Sequence, residues 1–372
     1  MRFARATFLT AFVCSFFLPL TAQVLRRSPV ANSGVLAPPL SGIAAPMPAT
    51  ANEPVTGGVQ PASAPNDHAA AVYLLERARQ NSLTHNPGMQ PFHFAASFTA
   101  AGTSTETGSG ELTEIWRNGQ SWRWTATLGN TSLVRVSSRG QLFESNHAAT
   151  LPMRAHMLRN EIFWATEGYT ARAQLRTSKI QWNGREATCV LASGVTGPAT
   201  QATGRLWQEE EYCIDNASGL LMIHSVAPGT YAIFGYNTNQ QFHGRTLPDR
   251  ITIYVNGSLA DEALFRIADL APQDEAALVP GPEMTATPRP VPIEGPVRRP
   301  LAGSQQNLAG GGAVQSVMVH AQVNAQGHVT SEELSATGDP SLTRAALDLV
   351  EKTEFGFIGA QRQMYLNVVF GR

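Results

Sequence analysis

The sequence predicts an α+β protein with a bent antiparallel sheet, forming an incomplete barrel with packed helices, and a small C-terminal three-stranded sheet with one helix. All six tryptophans lie between residues 116 and 207, which places the main apolar core in that region. Eight of the 24 prolines lie in residues 23–67 and eight in residues 272–300, which marks two boundaries. Tight-turn pairs separate the strand-like segments at Asn118-Gly119, Arg139-Gly140, Asn183-Gly184, Ser218-Gly219 and Asn256-Gly257.

The first 22 residues have the pattern of a secretory signal peptide. Arg2 and Arg5 precede an apolar run over residues 6–20, and "LTA" ending at Ala22 is a cleavage site. An uncleaved membrane anchor is the alternative, but the run is shorter than the roughly 20 residues that a spanning helix needs. We therefore expect a periplasmic or secreted protein of the cell envelope, released by cleavage of residues 1–22.

Composition divides the rest of the chain into four segments. Residues 23–67 are rich in Pro and Ala and residues 272–312 in Pro and Gly. Such segments bury too little apolar area to offset the entropy of ordering. They are predicted to be a disordered segment and a linker, so that residues 68–271 form the main domain and residues 313–372 a second one.

The main domain is predicted to begin with the helix "HAAAVYLLERARQNSL", because its apolar residues recur at helical spacing. Strand-like segments follow from "PFHFAASFTA" to "DRITIYVNG". The segment "RAHMLRNEIFWA", residues 154–165, interrupts them as a second helix. We expect the sheet to bend around these helices.

Two cysteines remain after the signal peptide, Cys189 and Cys213, and they fall in neighbouring predicted strands. An even number of cysteines in an exported chain favours a disulfide, because compartments outside the cytoplasm are oxidising. Two buried free thiols are the alternative. The strand positions would allow the bond.

The leading helix, the segment "GSGELTEIWRNGQSWRWTATLGNTSLVRVSSRGQLFES" and the later hairpin "EYCIDNASGLLMIHSV" carry a family resemblance. In these features the middle region resembles the LolA/LolB-like family of periplasmic lipoprotein carriers. The resemblance implies an incomplete barrel whose apolar concavity holds an acyl chain.

Large aromatic side chains could line such a cavity or fill an ordinary core. Trp122 and Trp124 are two residues apart on a predicted strand and so share a face. Core packing is the ordinary role of large aromatics, and the alternative is a lining open to a lipid tail. The candidate cavity residues are Trp122, Trp124, Phe143, Trp164, Trp182 and Phe234.

The C-terminal segment predicts a strand, a turn ending at Gly327, a returning strand, a helix and a last strand. In "SVMVHAQV" the apolar residues alternate with polar ones, so one face packs inward. Asp339 caps the helix and Pro340 occupies its first position. The last strand, "MYLNVVF", alternates again through Met364, Leu366, Val368 and Phe370.

This segment resembles the TonB C-terminal domain. The resemblance is carried by Gly327, Val329, Gly338, Asp339, Leu342, Ala345, Ala346, Phe355 and the strand from Leu366 to Phe370. Thr353 stands where a Trp is usual and Glu354 where a basic residue is usual, and "GFIGA" replaces a Pro-Ala pair.

The resemblance implies strand pairing with a segment of an outer-membrane transporter or another envelope protein. The last strand, with Met364, Leu366, Val368 and Phe370, is the candidate edge for that pairing. A purely structural edge is the alternative.

The sequence contains no signature of a catalytic, cofactor or metal site. It has no GxSxG, HExxH, P-loop or dinucleotide motif, and the histidines lack ligand spacing. Glu209, Glu210 and Glu211 are adjacent on a strand, so their side chains alternate between faces, and we expect them in solvent. A formal net charge of −1 gives no basic surface for nucleic acid.

Three functions follow as hypotheses. The first is a non-enzymatic envelope protein in which a TonB-like interaction module is tethered to a barrel-like binding domain. The second is a carrier of lipid, lipoprotein or another hydrophobic ligand with a structural C-terminal module. The third is an exported enzyme whose site has no recognisable motif.

Overall fold

The computed structural model describes residues 65–85, 88–102, 107–145, 152–166, 174–193, 209–290, 295, 297–302, 315–337 and 339–370. The predicted signal peptide, residues 1–22, and nearly all of the Pro/Ala-rich segment lie outside these residues. All the described residues belong to one compact unit. No helix among them is long and apolar enough to cross a membrane.

The helices are α1 (Pro65–Gln80), α2 (Met153–Trp164) and α3 (Thr343–Glu351), with short 3₁₀ helices at Pro272–Leu278 and Pro340–Leu342. The strands are β1 (Phe92–Ala100), β2 (Gly108–Asn118), β3 (Ser121–Leu128), β4 (Thr131–Ser138), β5 (Gln141–Ser145), β6 (Gln174–Trp182), β7 (Arg185–Ser193), β8 (Glu210–Asp215), β9 (Leu221–Ala227), β10 (Thr230–Gly235), β11 (Gln240–Phe242), β12 (Arg245–Leu247), β13 (Arg250–Val255), β14 (Ser258–Asp269), β15 (Met284–Pro290), β16 (Val297–Ala302), β17 (Gln315–Val323), β18 (Val329–Thr337) and β19 (Arg362–Phe370).

Thirteen strands form one antiparallel sheet in the order β15-β5-β4-β3-β2-β1-β14-β13-β10-β9-β8-β7-β6. The sheet is bent but not closed into a barrel, and β15 and β6 are its edges. This confirms the predicted fold class. Between β5 and β6, at the far edge, the chain contains α2, which packs against β2, β3 and β14 of the sheet.

The main core lies between the sheet and the two helices. Buried side chains of α1, α2 and strands from both halves of the sheet form a single apolar cluster. The hairpin turns match their sequence signals: Asn183 and Gly184 both have positive φ, as do Asn256 and Gly257. Two consecutive positive φ values are characteristic of the tight turns that join twisted antiparallel strands.

The C-terminal sheet has four strands in the order β16-β19-β17-β18, where the sequence predicts three. The additional strand, β16, runs parallel to β19. Helix α3 packs on β17 and β18 over the apolar face formed by Val317, Val319, Ala321, Val323, Met364, Leu366, Val368 and Phe370. The Asp339 side chain accepts a hydrogen bond from the Ser341 backbone N–H, as the predicted cap requires.

Residues 272–312 are predicted to be a linker, but their described part contains three elements, namely the 3₁₀ helix Pro272–Leu278, β15 and β16. Prolines do not prevent β15 and β16 from forming, because both lie at the edge of a sheet. A proline has no backbone N–H to donate to a neighbouring strand, and an edge strand has a neighbour on one side only, so edge positions tolerate proline.

Candidate functional site

A cleft lies between the end of α1, the second half of α2 and four strands of the large sheet. Its apolar lining is Leu83, Ile162, Ala165, Leu221, Phe234, Ile251 and Phe265, and its polar lining includes Ser82, Glu161 and Tyr236. The cavity volume is about 10 Å³, room for about one water molecule. A larger occupant therefore requires the cleft to widen.

The structure does not bring the six candidate cavity residues together. Phe234 alone among them lines the cleft. Trp122 and Trp124 are buried in the main core, and the half-buried Trp164 packs against it.

The remaining two candidate aromatics lie on the other face of the sheet. Trp182 belongs to a separate cluster with both cysteines. Phe143 is half-buried and follows the core residue Leu142 in β5, so the alternation of side chains along a strand points Phe143 away from the core. Only one face of the sheet packs against the helices. The spacing of Phe143 and Trp182 in the sequence does not tell which face each side chain is on.

Helix α2 is buried along its entire length although five of its residues are polar or charged. Arg159, on the side facing the large sheet, donates two hydrogen bonds to Glu114 of β2, at 2.8 and 3.0 Å. Both side chains are fully buried. The Arg159 guanidinium also lies 4.6 Å from the ring centre of Trp124 and 4.9 Å from that of Trp164. This pair anchors α2 to the sheet.

The carboxyl of Glu114 has a second partner, since His85 Nε2 lies 3.1 Å from its Oε1. Burial alone would raise the pKa of Glu114, but the charges of Arg159 and His85 and their hydrogen bonds hold it below its usual value. Glu114 is therefore ionised at neutral pH inside the core.

The opposite side of α2 faces the C-terminal sheet. Arg154 donates two hydrogen bonds of 2.7 Å to the carboxylate of Glu333 on β18. Asn160 donates to the Gln363 side chain on β19 at 2.7 Å, and Gln363 donates to the Met153 carbonyl at 2.8 Å. Because α2 lies between two sheets, it is buried all round and shows no single apolar stripe.

A chain of buried polar groups leads from the cleft to the C-terminal sheet. Glu161 Oε2 lies 2.7 Å from Nδ1 of His224, whose ring stacks on Tyr212 at 4.9 Å. The Tyr212 hydroxyl donates to Glu210 at 2.5 Å, and Nε of Arg298 on β16 lies 2.5 Å from the same carboxylate. Burial alone would raise the pKa of Glu210, but the charge of Arg298 holds it below its usual value.

The three adjacent glutamates are buried, and the expectation that they lie in solvent is wrong. Glu209 accepts from Arg176 at 2.8 Å, Glu210 pairs with Arg298 and Glu211 lies beside Cys213. Each carboxylate meets a different partner because neighbouring strand residues point to opposite faces. They do not converge on one site.

The predicted disulfide is confirmed. Cys189 and Cys213 are directly opposite each other on β7 and β8, and their sulfurs are bonded. With Glu211 they are the one group in the described part of the chain whose ligand atoms lie close enough for a metal ion. Their sulfurs are bonded to each other and so do not act as thiolate ligands.

The candidate strand-addition residues lie on β19, which is an internal strand. Its backbone pairs with β17 on one side and with β16 on the other. Met364, Leu366, Val368 and Phe370 are buried beneath α3. Addition of a partner strand to β19 therefore requires that β16 leave.

Sequence reasoning missed the buried polar residues of α2 and of the C-terminal sheet. His320, fully buried, places Nδ1 2.9 Å from Glu333, and its ring stacks on Tyr365 at 4.7 Å. Burial and the charges of Arg135 and Arg159 hold the pKa of His156 well below its usual value. One signal was present: polar residues occur on all sides of α2, an unusual pattern for a helix beneath a sheet.

No protein-family model matches the chain, and no curated protein matches it. Among solved structures, it is similar to a LolA superfamily protein from Nitrosomonas europaea, with 9% identity over 54% of this chain and 91% of that one and a TM-score of 0.37. It is similar to a putative outer membrane lipoprotein-sorting protein domain from Vibrio parahaemolyticus, with 11% identity over 56% of this chain and 97% of that one and a TM-score of 0.33.

The MucA/MucB complex of Pseudomonas aeruginosa is a third similar structure, with 11% identity over 70% of this chain and 81% of that one and a TM-score of 0.26. None of these comparisons supports the resemblance of the C-terminal segment to the TonB C-terminal domain. At these identities and TM-scores, none of the three structures assigns the chain to a family.

Proposed function

We propose that the protein is a non-enzymatic carrier of acyl chains or similar hydrophobic ligands in the cell envelope, and that the ligand binds beneath α2. The observation that supports this proposal is the cleft, where apolar side chains from α2, from the segment that follows α1 and from β9, β10, β13 and β14 converge. Ligand sites are concave and mostly apolar, with a few polar groups at fixed positions. Glu161 and Tyr236 are such groups here.

The cleft expands by displacement of α2. The cavity of about 10 Å³ is far smaller than an acyl chain, whereas ligand pockets are typically about 300–1,000 Å³. The polar contacts of α2 with the C-terminal sheet can separate, because their charged and amide groups regain hydrogen bonds to water when they do.

Titration of the full chain with a fluorescent C16 fatty acid tests this function, together with extraction of co-purified lipid. Phe234→Ala enlarges the cleft and should tighten binding, whereas Ala165→Phe fills it and should weaken binding. Leu259→Ala, at a half-exposed leucine of the same sheet, is the matched control and should bind like the unsubstituted protein. Absence of both extractable lipid and saturable probe binding would rule out carriage.

Strand pairing with an envelope protein is the second candidate function. The observation that favours it is β16, an extended segment that adds in parallel to β19. A partner peptide that replaces β16 would use the same backbone groups. Deletion of residues 297–302 should then increase capture of a defined transporter peptide by the full chain, and equal capture with and without β16 would remove this candidate.

A further inference from the structure

The contacts that hold α2 over the cleft come from two sources with different chemistry. On the large-sheet side, α2 packs Leu158, Ile162 and Phe163 into the main core, and this apolar packing surrounds the ion pair of Arg159 with Glu114. On the other side, its contacts with the C-terminal sheet are mainly polar, through Arg154 and Asn160. The outer contacts can therefore be lost without exposing a large apolar area.

The rest of the boundary between the large sheet and the C-terminal sheet is similar. Its apolar part is a small cluster of Val226, Ala227, Met318, Ala336 and Tyr365. Thr230 adds a hydrogen bond of 2.7 Å to the Ser335 carbonyl. Interfaces rich in polar groups resemble transient contacts, for which relative movement is the ordinary expectation.

The same C-terminal sheet also reaches the polar end of the cleft. Arg298 on β16 pairs with Glu210, donates to the Val226 carbonyl at 2.9 Å and lies 5.6 Å from the ring centre of Tyr365. Through Tyr212 and His224, Glu210 is linked to the cleft residue Glu161. Strand β16, which belongs to the C-terminal sheet, therefore contacts the polar network that ends in the cleft.

We propose that the C-terminal four-stranded sheet is a latch on α2, and that the cleft opens only when Glu333, Gln363 and Arg298 release their partners. The identity of the ligand that enters the cleft rests on the proposed function, whereas the release of α2 by the C-terminal sheet does not. An occupant that favours the open position of α2 must, by thermodynamic linkage, weaken docking of the C-terminal sheet by the same factor.

Burial distinguishes the outer contact from the fixed Arg159–Glu114 anchor, because the Glu333 side chain is 13% exposed whereas both side chains of the anchor are 0% exposed. A permanent support for a buried helix is most stable as an apolar contact, since replacing buried ion pairs by packed apolar residues is often neutral or stabilising. Here the contact is an arginine–carboxylate pair with two hydrogen bonds and an amide pair. Such a contact fixes the orientation of α2 when the C-terminal sheet is docked. When the sheet separates from α2, water hydrates the polar groups on both sides.

Hydrogen–deuterium exchange of the full chain, read on peptides covering residues 153–164, tests the latch. Glu333→Gln removes the negative charge paired with Arg154, and Gln363→Ala removes the partner of Asn160, so each should raise exchange there by about tenfold or more. Exchange in β1 and β2 should stay unchanged. Asp348→Asn breaks an exposed ion pair with Arg344 on α3 and is the control within the same sheet and helix unit.

The acyl-probe association rate, measured on the same variants, separates the latch from the proposed function. Faster association of the acyl probe together with faster exchange in α2 supports both the latch and the carrier function. Faster α2 exchange with no probe binding in any variant supports the latch and rejects carriage of acyl chains. Unchanged α2 exchange, or exchange that rises equally in β1 and β2 because the whole fold loosens, overturns the latch.

Discussion

Replacing Arg159 with methionine should destabilise the protein strongly, because it leaves the Glu114 carboxylate without its main partner in the core. Both side chains are 0% exposed. Removal of one partner from a buried ion pair costs about 3–5 kcal/mol. His85 Nε2 still lies 3.1 Å from Glu114 Oε1, within hydrogen-bond distance, and so offsets part of the loss. We therefore expect the free energy of unfolding to fall by about 3 kcal/mol at neutral pH, the lower end of that range.

Urea unfolding followed by tryptophan fluorescence measures this change, since Trp122, Trp124 and Trp164 all have ring centres within 5.5 Å of the Arg159 guanidinium. The slope of the transition should remain unchanged, so that the midpoint shift reports stability. The double substitution Arg159→Met with Glu114→Leu should recover most of the loss, because it leaves no unpaired charge.

Arg185→Met is the matched control for this experiment. Arg185 is half-exposed and lies 3.5 Å from Asp215, so its loss should cost at most about 1 kcal/mol. A cost below about 1 kcal/mol for Arg159→Met, or a double variant as unstable as the single, would refute the argument that the pair anchors α2.

Three further predictions concern other parts of the fold. The pKa of buried His156 is lowered, so as pH falls from 7 to 5 the unfolded chain takes up a proton at His156 before the folded chain does. The unsubstituted protein should therefore lose stability over that range by up to about 1.4 kcal/mol per pH unit more than His156→Gln, as measured by urea unfolding at each pH. Replacing Cys189 and Cys213 with alanine opens a link between residues 24 apart and should lower the free energy of unfolding by about 3 kcal/mol, measured by denaturant titration. Gly327→Ala should destabilise the C-terminal sheet by about 2 kcal/mol or more, measured by thermal unfolding, because Gly327 has a φ of +95° and an added Cβ would lie 2.0 Å from the Gly356 carbonyl oxygen.

Local patterns in the sequence predicted those parts of the fold that local chemistry determines. Turn pairs such as Asn183-Gly184 are hairpin turns, and Asp339 is a cap. The Cys189–Cys213 disulfide followed from compartment and strand position. In each case the partner is a neighbour along the chain or in the adjacent strand.

The environment of α2 depends on residues far away in the sequence and was not predictable from local patterns. Arg159 meets Glu114 across 45 positions and Asn160 meets Gln363 across 203. The sequence shows the charges on α2 but not that two sheets cover them. The proline-containing strand β16 was missed for a related reason, since only its place at the edge of a sheet makes its prolines acceptable.

Binding of a fluorescent C16 fatty acid to the full chain, compared with its binding to Phe234→Ala and Glu333→Gln, tests the proposed carrier site beneath α2 most directly. The predicted result is saturable binding that is tighter in Phe234→Ala, where the cleft is enlarged, and that associates faster in Glu333→Gln, where the Arg154–Glu333 contact is weakened. Absence of saturable binding in all three proteins, with α2 shown by hydrogen exchange to be released in Glu333→Gln, would contradict a carrier site beneath α2.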